Sequence, residues 1–180
     1  MRISLLCAAV APCLAAAAFA QPAMPTAKAV FHDAQQNQVG GATLTQTPSG
    51  VLIDVQLTGM TGGVHAFHVH EVGRCDAPSF DSAGAHYAPR RHAHGWLAPK
   101  GAHAGDMPNQ LAWRDGALSF QVLNPNVTLT GGDAPLLDGD GSALVLHAKG
   151  DDYKSQPSGD AGARVACAVI ERGGASTTAR

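Results

Sequence analysis

Hydrophobic and polar positions alternate most clearly in Val51-Leu-Ile-Asp-Val-Gln-Leu57, where Val51, Ile53, Val55 and Leu57 share one face and Leu52, Asp54 and Gln56 the other. Successive side chains of a strand point to opposite faces, so this segment predicts a half-buried β-strand. Leu118-Ser-Phe-Gln-Val122 repeats the alternation after Arg114-Asp115-Gly116, and residues 109–124 read as a hairpin with an Asp-Gly loop. Further strands are expected over 27–34, 38–47, 64–70, 143–149 and 165–170. No stretch beyond residue 20 keeps a helical apolar period over three turns, and 21 glycines and 11 prolines punctuate the chain. An all-β fold follows. Two segments, 71–108 and 150–163, refuse a strand assignment. Loops of this length in a compact domain are usually functional.

The first twenty residues carry a lone Arg2, an Ala/Leu-rich apolar stretch and an A-x-A site at Ala18-Phe19-Ala20, the pattern of a signal peptide. Residues 21–180 are then expected to form a single domain, exported to the periplasm or secreted, with no membrane attachment after cleavage. Cys7 and Cys13 belong to the removed segment. Cys75 and Cys167 stay with the domain, where an oxidising compartment favours a bridge over two buried thiols. Removing the Arg2 charge takes the formal net charge from −2 to −3. With no basic run and no interleaving of basic and aromatic residues, a nucleic-acid partner is not expected.

Seven of the nine histidines lie between positions 65 and 103. The spacing His68-x-His70, His86, His94, His103-x-x-Asp106 and, downstream, His147 reads as two adjacent metal sites that share a ligand. On a strand, His68 and His70 point to one side about 7 Å apart, close enough to reach one ion. Four imidazoles suit copper; three nitrogens with one carboxylate suit tetrahedral zinc. His65 has the wrong parity to join them and is expected to take a hydrogen-bonding role. His32 is expected to be a solvated strand residue, and Trp96 and Trp113 are candidates for a subunit interface.

Several of these segments resemble the copper–zinc superoxide dismutase family. Gly63-Val-His-Ala-Phe-His-Val-His70-Glu is similar to its copper motif, and Ser82-Ala-Gly-Ala-His86-Tyr to the segment with its bridging histidine. His94-x8-His103-Ala-Gly-Asp106 resembles the zinc loop. Val145-Leu-His147-Ala-Lys-Gly-Asp-Asp152 and Gly162-Ala-Arg164-Val-Ala-Cys167-Ala-Val-Ile170 resemble the closing segments. Ala66 and Ala85 stand where glycines are usual, Ala88 where Asn or Asp is usual, and His92 is additional.

The resemblance implies an eight-stranded Greek-key barrel, an immunoglobulin-like sandwich, with two long functional loops. It implies copper on His68, His70, His86 and His147, and zinc on His86, His94, His103 and Asp106, with His86 bridging as an imidazolate. Superoxide would become oxygen and hydrogen peroxide by alternate reduction and oxidation of the copper. Arg164 would attract and orient the anion, and Asp151 would link a copper ligand to a zinc ligand. His94 is taken as the zinc ligand in preference to His92, which adjoins Arg90 and Arg91. A homodimer is allowed by the same resemblance. Two rivals are a copper storage or delivery protein on the same barrel and a structural domain that binds zinc alone. Delivery sites favour Met or Cys ligands, whereas the expected copper ligands are all imidazole and the Met residues lie outside the motifs, and no copper ligand is missing.

Overall fold

A computed structural model describes residues 24–173; the expected signal peptide and the last seven residues lie outside this range. Nine strands run in the order β1 (Thr26–Asp33), β2 (Gln38–Thr47), β3 (Gly50–Leu57), β4 (Gly63–His65), β5 (Phe67–His70), β6 (Gln110–Ala112), β7 (Leu118–Asn124), β8 (Ala143–His147) and β9 (Arg164–Arg172). Seven form one antiparallel sheet, β5-β8-β9-β1-β2-β3-β7, and β4 pairs with β6. The expected strand 64–70 is broken at Ala66, which turns its backbone to the end of β8. Ala66 N–H donates to the Lys149 carbonyl, and the Ala66 carbonyl accepts from His147 N–H. Counted as one kinked strand, β4 and β5 restore the expected eight.

The sheet curls until its two ends meet. Phe67 of β5 and Phe120 of β7 pack edge to face with ring centres 5.1 Å apart, although these strands are the outermost of the seven. The alternation of β3 carries through: Val51, Ile53, Val55 and Leu57 are buried while Gln56 is exposed. With Phe31, Leu44, Leu118, Leu144 and Leu146 they fill the interior, each large apolar side chain contributing about 1.5–3 kcal/mol. The expected hairpin differs in pairing. Its turn closes between Trp113 and Ala117, but β6 then joins β4, whereas β7 pairs with all seven residues from Val51 to Leu57. That longer partner decides where β7 goes.

β5 is buried on both faces, and this positions the site. Phe67 and Val69 face the core; His68 and His70 face outward, opposite Val145 and Ala143 of β8. The long loop 71–109 covers them and takes up the free edge of β5. Tyr87 N–H donates to the Val69 carbonyl, Val69 N–H to Gly105 and Gly105 N–H to Tyr87, all at 2.9 Å. Beneath the start of this loop lies a second apolar cluster of Phe80, Ala83, Ala143, Val145 and Cys167. The Cys75–Cys167 disulfide pins the loop to β9, 92 residues away in sequence. A third long connection, between β7 and β8, buries Val127, Leu129 and Leu136 in the main core. Among the described residues no helix is long and apolar enough to cross a membrane.

Candidate metal centre

Two groups of donor atoms meet at His86. His68, His70, His86 and His147 form one and His86, His94, His103 and Asp106 the other, with the donor atoms of each lying within 4.8 Å of one another. β5 supplies the first two imidazoles, the end of β8 the fourth, and the covering loop the rest.

In the second group a single carboxylate oxygen faces three ring nitrogens. Asp106 Oδ1 lies 3.1 Å from His86 Nδ1, 3.1 Å from His94 Nδ1 and 3.2 Å from His103 Nδ1. Donors held at about 2.0 Å in a tetrahedron around a zinc-sized ion stand ~3.3 Å apart along each edge. His103 Nδ1 has no hydrogen-bond partner here despite being buried. The other carboxylate oxygen is fixed by the backbone, accepting from Gly95 N–H at 2.9 Å and His103 N–H at 3.0 Å. The donor set and its spacing fit zinc.

The four-imidazole group has no carboxylate. His70 Nδ1–H donates to the Gly84 carbonyl at 3.0 Å and His147 Nδ1–H to the Gly162 carbonyl at 3.3 Å. Both Nε2 atoms therefore carry lone pairs, yet they face each other at 3.3 Å. Two facing lone pairs repel unless a cation lies between them. His68 Nδ1 and His86 Nε2 are likewise buried without a partner. Open nitrogens from four rings fit copper.

Asp151 ties the groups together. Its Oδ2 accepts from His68 Nε2–H and its Oδ1 from His94 Nε2–H, both at 2.9 Å, which leaves Nδ1 of each ring directed to its donor group. Asn109 holds the Asp151 backbone from both sides, at 2.7 and 2.9 Å. Gln156 does the same for His94, at 2.9 Å on each side. Gly159, at φ +70°, packs so tightly here that a side chain would collide with Asp151 Oδ1. Sequence reasoning missed Asn109, Gln156 and Gly159, because amide clamps and close approaches leave no local pattern.

The electrostatics of the groups diverge. Burial, reinforced by neighbouring rings and Arg164, pushes His70 well below its ordinary value, and burial takes His86 to about 4 and His147 to about 3. His94 rises to about 9, since hydrogen bonds to Asp106 and Asp151 outweigh its burial. Against burial that favours the acid forms, the histidines hold both carboxyls below the usual carboxylate range.

Arg164 opens β9 opposite His147. Its Nη1–H donates to the Phe80 carbonyl at 2.6 Å and its Nη2–H to the Gly84 carbonyl at 2.7 Å, the same carbonyl that accepts from His70. Phe80 is fully buried with φ +57°. The satellite cluster thus fixes the guanidinium beside the four-imidazole group. His92 is exposed, with Nδ1–H donating to the Ala102 carbonyl at 3.2 Å, and stands outside both groups. His65 is buried between the carbonyls of His147 and Thr61, 2.7 Å from each. Neither Ala66 nor Ala85 has a positive φ, so these replacements of glycine bring no backbone strain.

The family model for copper/zinc superoxide dismutase matches residues 38–170. A "Superoxide dismutase [Cu-Zn]" of Caulobacter vibrioides is 47% identical over 149 residues, 81% of this chain and 86% of its relative. Among solved structures, a SOD-like protein from Bacillus subtilis superposes with a TM-score of 0.76 at 33% identity, covering 79% of this chain and 96% of that one. The Cu/Zn superoxide dismutase from Brucella abortus gives 0.66 at 30% identity, covering 81% and 99%.

Proposed function

Because the chain belongs to the copper/zinc superoxide dismutase family, we propose that His68, His70, His86 and His147 hold copper and that His86, His94, His103 and Asp106 hold zinc, with His86 common to both. The reaction is dismutation: two superoxide ions and two protons give oxygen and hydrogen peroxide. The observation that carries the residue assignment is His86 itself, with one ring nitrogen facing Asp106 and the other buried and unpaired among imidazoles. When bound, copper supplies a one-electron couple and zinc a redox-silent positive charge.

The chain's own groups do the rest. The Arg164 guanidinium attracts the anion and aligns it by hydrogen bonding, its direction set by Phe80 and Gly84. His86 Nε2 is the atom at which a proton is held and then passed to reduced dioxygen. Asp151 keeps protons on His68 Nε2 and His94 Nε2, so neither ring can turn its other nitrogen away from the site.

Export belongs to the same proposal. Residues 1–20 act as a signal peptide, 21–180 form the mature domain, and a disulfide suits the periplasm or the outside of the cell. A homodimer is supported by the β4–β6 ribbon, where Val64 and Leu111 are paired and, with Trp113, are 51%, 62% and 65% exposed. Sedimentation of the mature protein tests it: a monomer at micromolar concentration would overturn the dimer. The residue assignment is tested by metal analysis of two variants. His147→Ala should lose copper and keep zinc, and His94→Ala should do the reverse; loss of both metals from both variants would refute two separable sites.

A further inference from the structure

The assignment above leaves His92 without a task. It lies on a surface cavity of about 230 Å³, lined also by Arg90, Trp96, Ala102, Asn126 and His103. His103 is the link between this cavity and the zinc group: its side chain is 11% exposed, against 3% for His86 and Asp106 and none for His94. Among the described residues of the two donor groups, it is the ring that solvent reaches most readily. A buried dication is not released bare, because stripping all its partners at once costs far more than exchanging them one at a time. Six waters at about 30 Å³ each fit the cavity, so a hydrated ion has room there. His92 donates Nδ1–H to the Ala102 carbonyl, which leaves the Nε2 lone pair as a free ligand atom.

We infer that this cavity is the doorway for zinc and that His92 is its transit ligand, accepting the ion as His103 lets go and handing it to water, or the reverse on entry. The inference rests on the assignment of zinc to the group containing His103. Arg90 faces the same cavity, and its charge opposes passage; its bridge to Asp133, 3.5 Å long between exposed side chains, offsets little of that. The doorway is therefore slow by construction, and one extra imidazole changes its rate.

The test is metal release from the fully loaded mature protein into excess chelator, with zinc and copper followed separately. His92→Ala should slow zinc release roughly tenfold, the change in rate that about 1.4 kcal/mol of barrier gives. Zinc affinity at equilibrium should not change, because a transit ligand alters the barrier and not the end states, and copper release should be unaffected. Ala102→Leu, which fills the cavity, should also slow zinc release. Unchanged zinc release in both variants would overturn the doorway, and a parallel loss of zinc affinity in His92→Ala would make His92 a ligand instead. A wild-type protein that held no zinc would fail the metal assignment, a different result from either.

Discussion

The two halves that meet at His86 are built on opposite electrostatic plans. On the copper side no carboxylate approaches the open nitrogens, burial dominates, and His70, His86 and His147 are neutral far below pH 7. On the zinc side Asp106 and Asp151 bracket His94 and hold a proton on it up to about pH 9. The lesson is that the same residue type is prepared differently by its neighbours. Under the proposed assignment, one half offers four imidazoles with no carboxylate among the open nitrogens to an ion whose charge changes each turnover, and the other offers a frame that includes a carboxylate to an ion whose charge stays fixed.

The sharpest way to break this contrast is His147→Ala. It should abolish dismutation and copper retention while zinc stays at the wild-type level by metal analysis. Next is Cys75→Ser. Closing 92 residues of separation is worth about 4–5 kcal/mol in loop entropy, and denaturant unfolding of the mature protein should show most of that loss. Because the pinned loop carries Gly84, whose carbonyl orients His70, copper retention should weaken more than zinc retention. Equal weakening would mean the disulfide serves the whole loop and not one half.

Arg164→Ala should lower the second-order rate about tenfold, the low end of electrostatic steering, and Arg164→Glu further. Rising salt should slow wild type more than the Ala variant, since screening removes a term the variant lacks. Phe80→Ala keeps the carbonyl that Arg164 bonds but removes the buried ring that holds it in place, so it should give a smaller loss, and none when added to Arg164→Ala. Additive losses would make Phe80 merely structural.

The smallest effect is on the metal-free protein. Histidines whose folded values lie below the ordinary 6.5 contribute stability that is complete above pH 6.5 and is lost as pH falls toward 4 and 3. His94, raised to about 9, contributes stability that is complete below pH 6.5 and is lost as pH rises through 9. Thermal unfolding should therefore peak near pH 6.5, and His94→Gln should flatten the alkaline limb alone. An alkaline limb that His94→Gln leaves intact would assign it to another group.

How much of this was legible in the sequence follows from how local each feature is. The alternation of Val51 to Leu57 repeats every two residues and reads directly as a buried face. The donor residues are legible too, since seven histidines crowd into 39 positions and the motif around His68 and His70 matches a known family. The break at Ala66 was hidden, because it depends on the Lys149 and His147 backbone some 80 residues away. So was the partner of β6, which only the closure of the sheet decides. Phe80 reads as one more apolar residue in a loop; what makes it matter is a carbonyl, and every residue has one. The connection between β7 and β8 buries Leu129 and Leu136 without strand periodicity, so its share of the core leaves no pattern to count.

The central claim, a copper that turns over on four imidazoles bridged through His86 to zinc, is tested most directly by measuring peroxide formed from superoxide as the zinc-loaded mature protein is titrated with copper. The account predicts negligible activity before copper, a linear rise, and a break at one copper per chain, with zinc content constant throughout. Tight uptake of one copper with no peroxide formed above the uncatalysed rate would contradict it and leave a protein that binds the metal without using it.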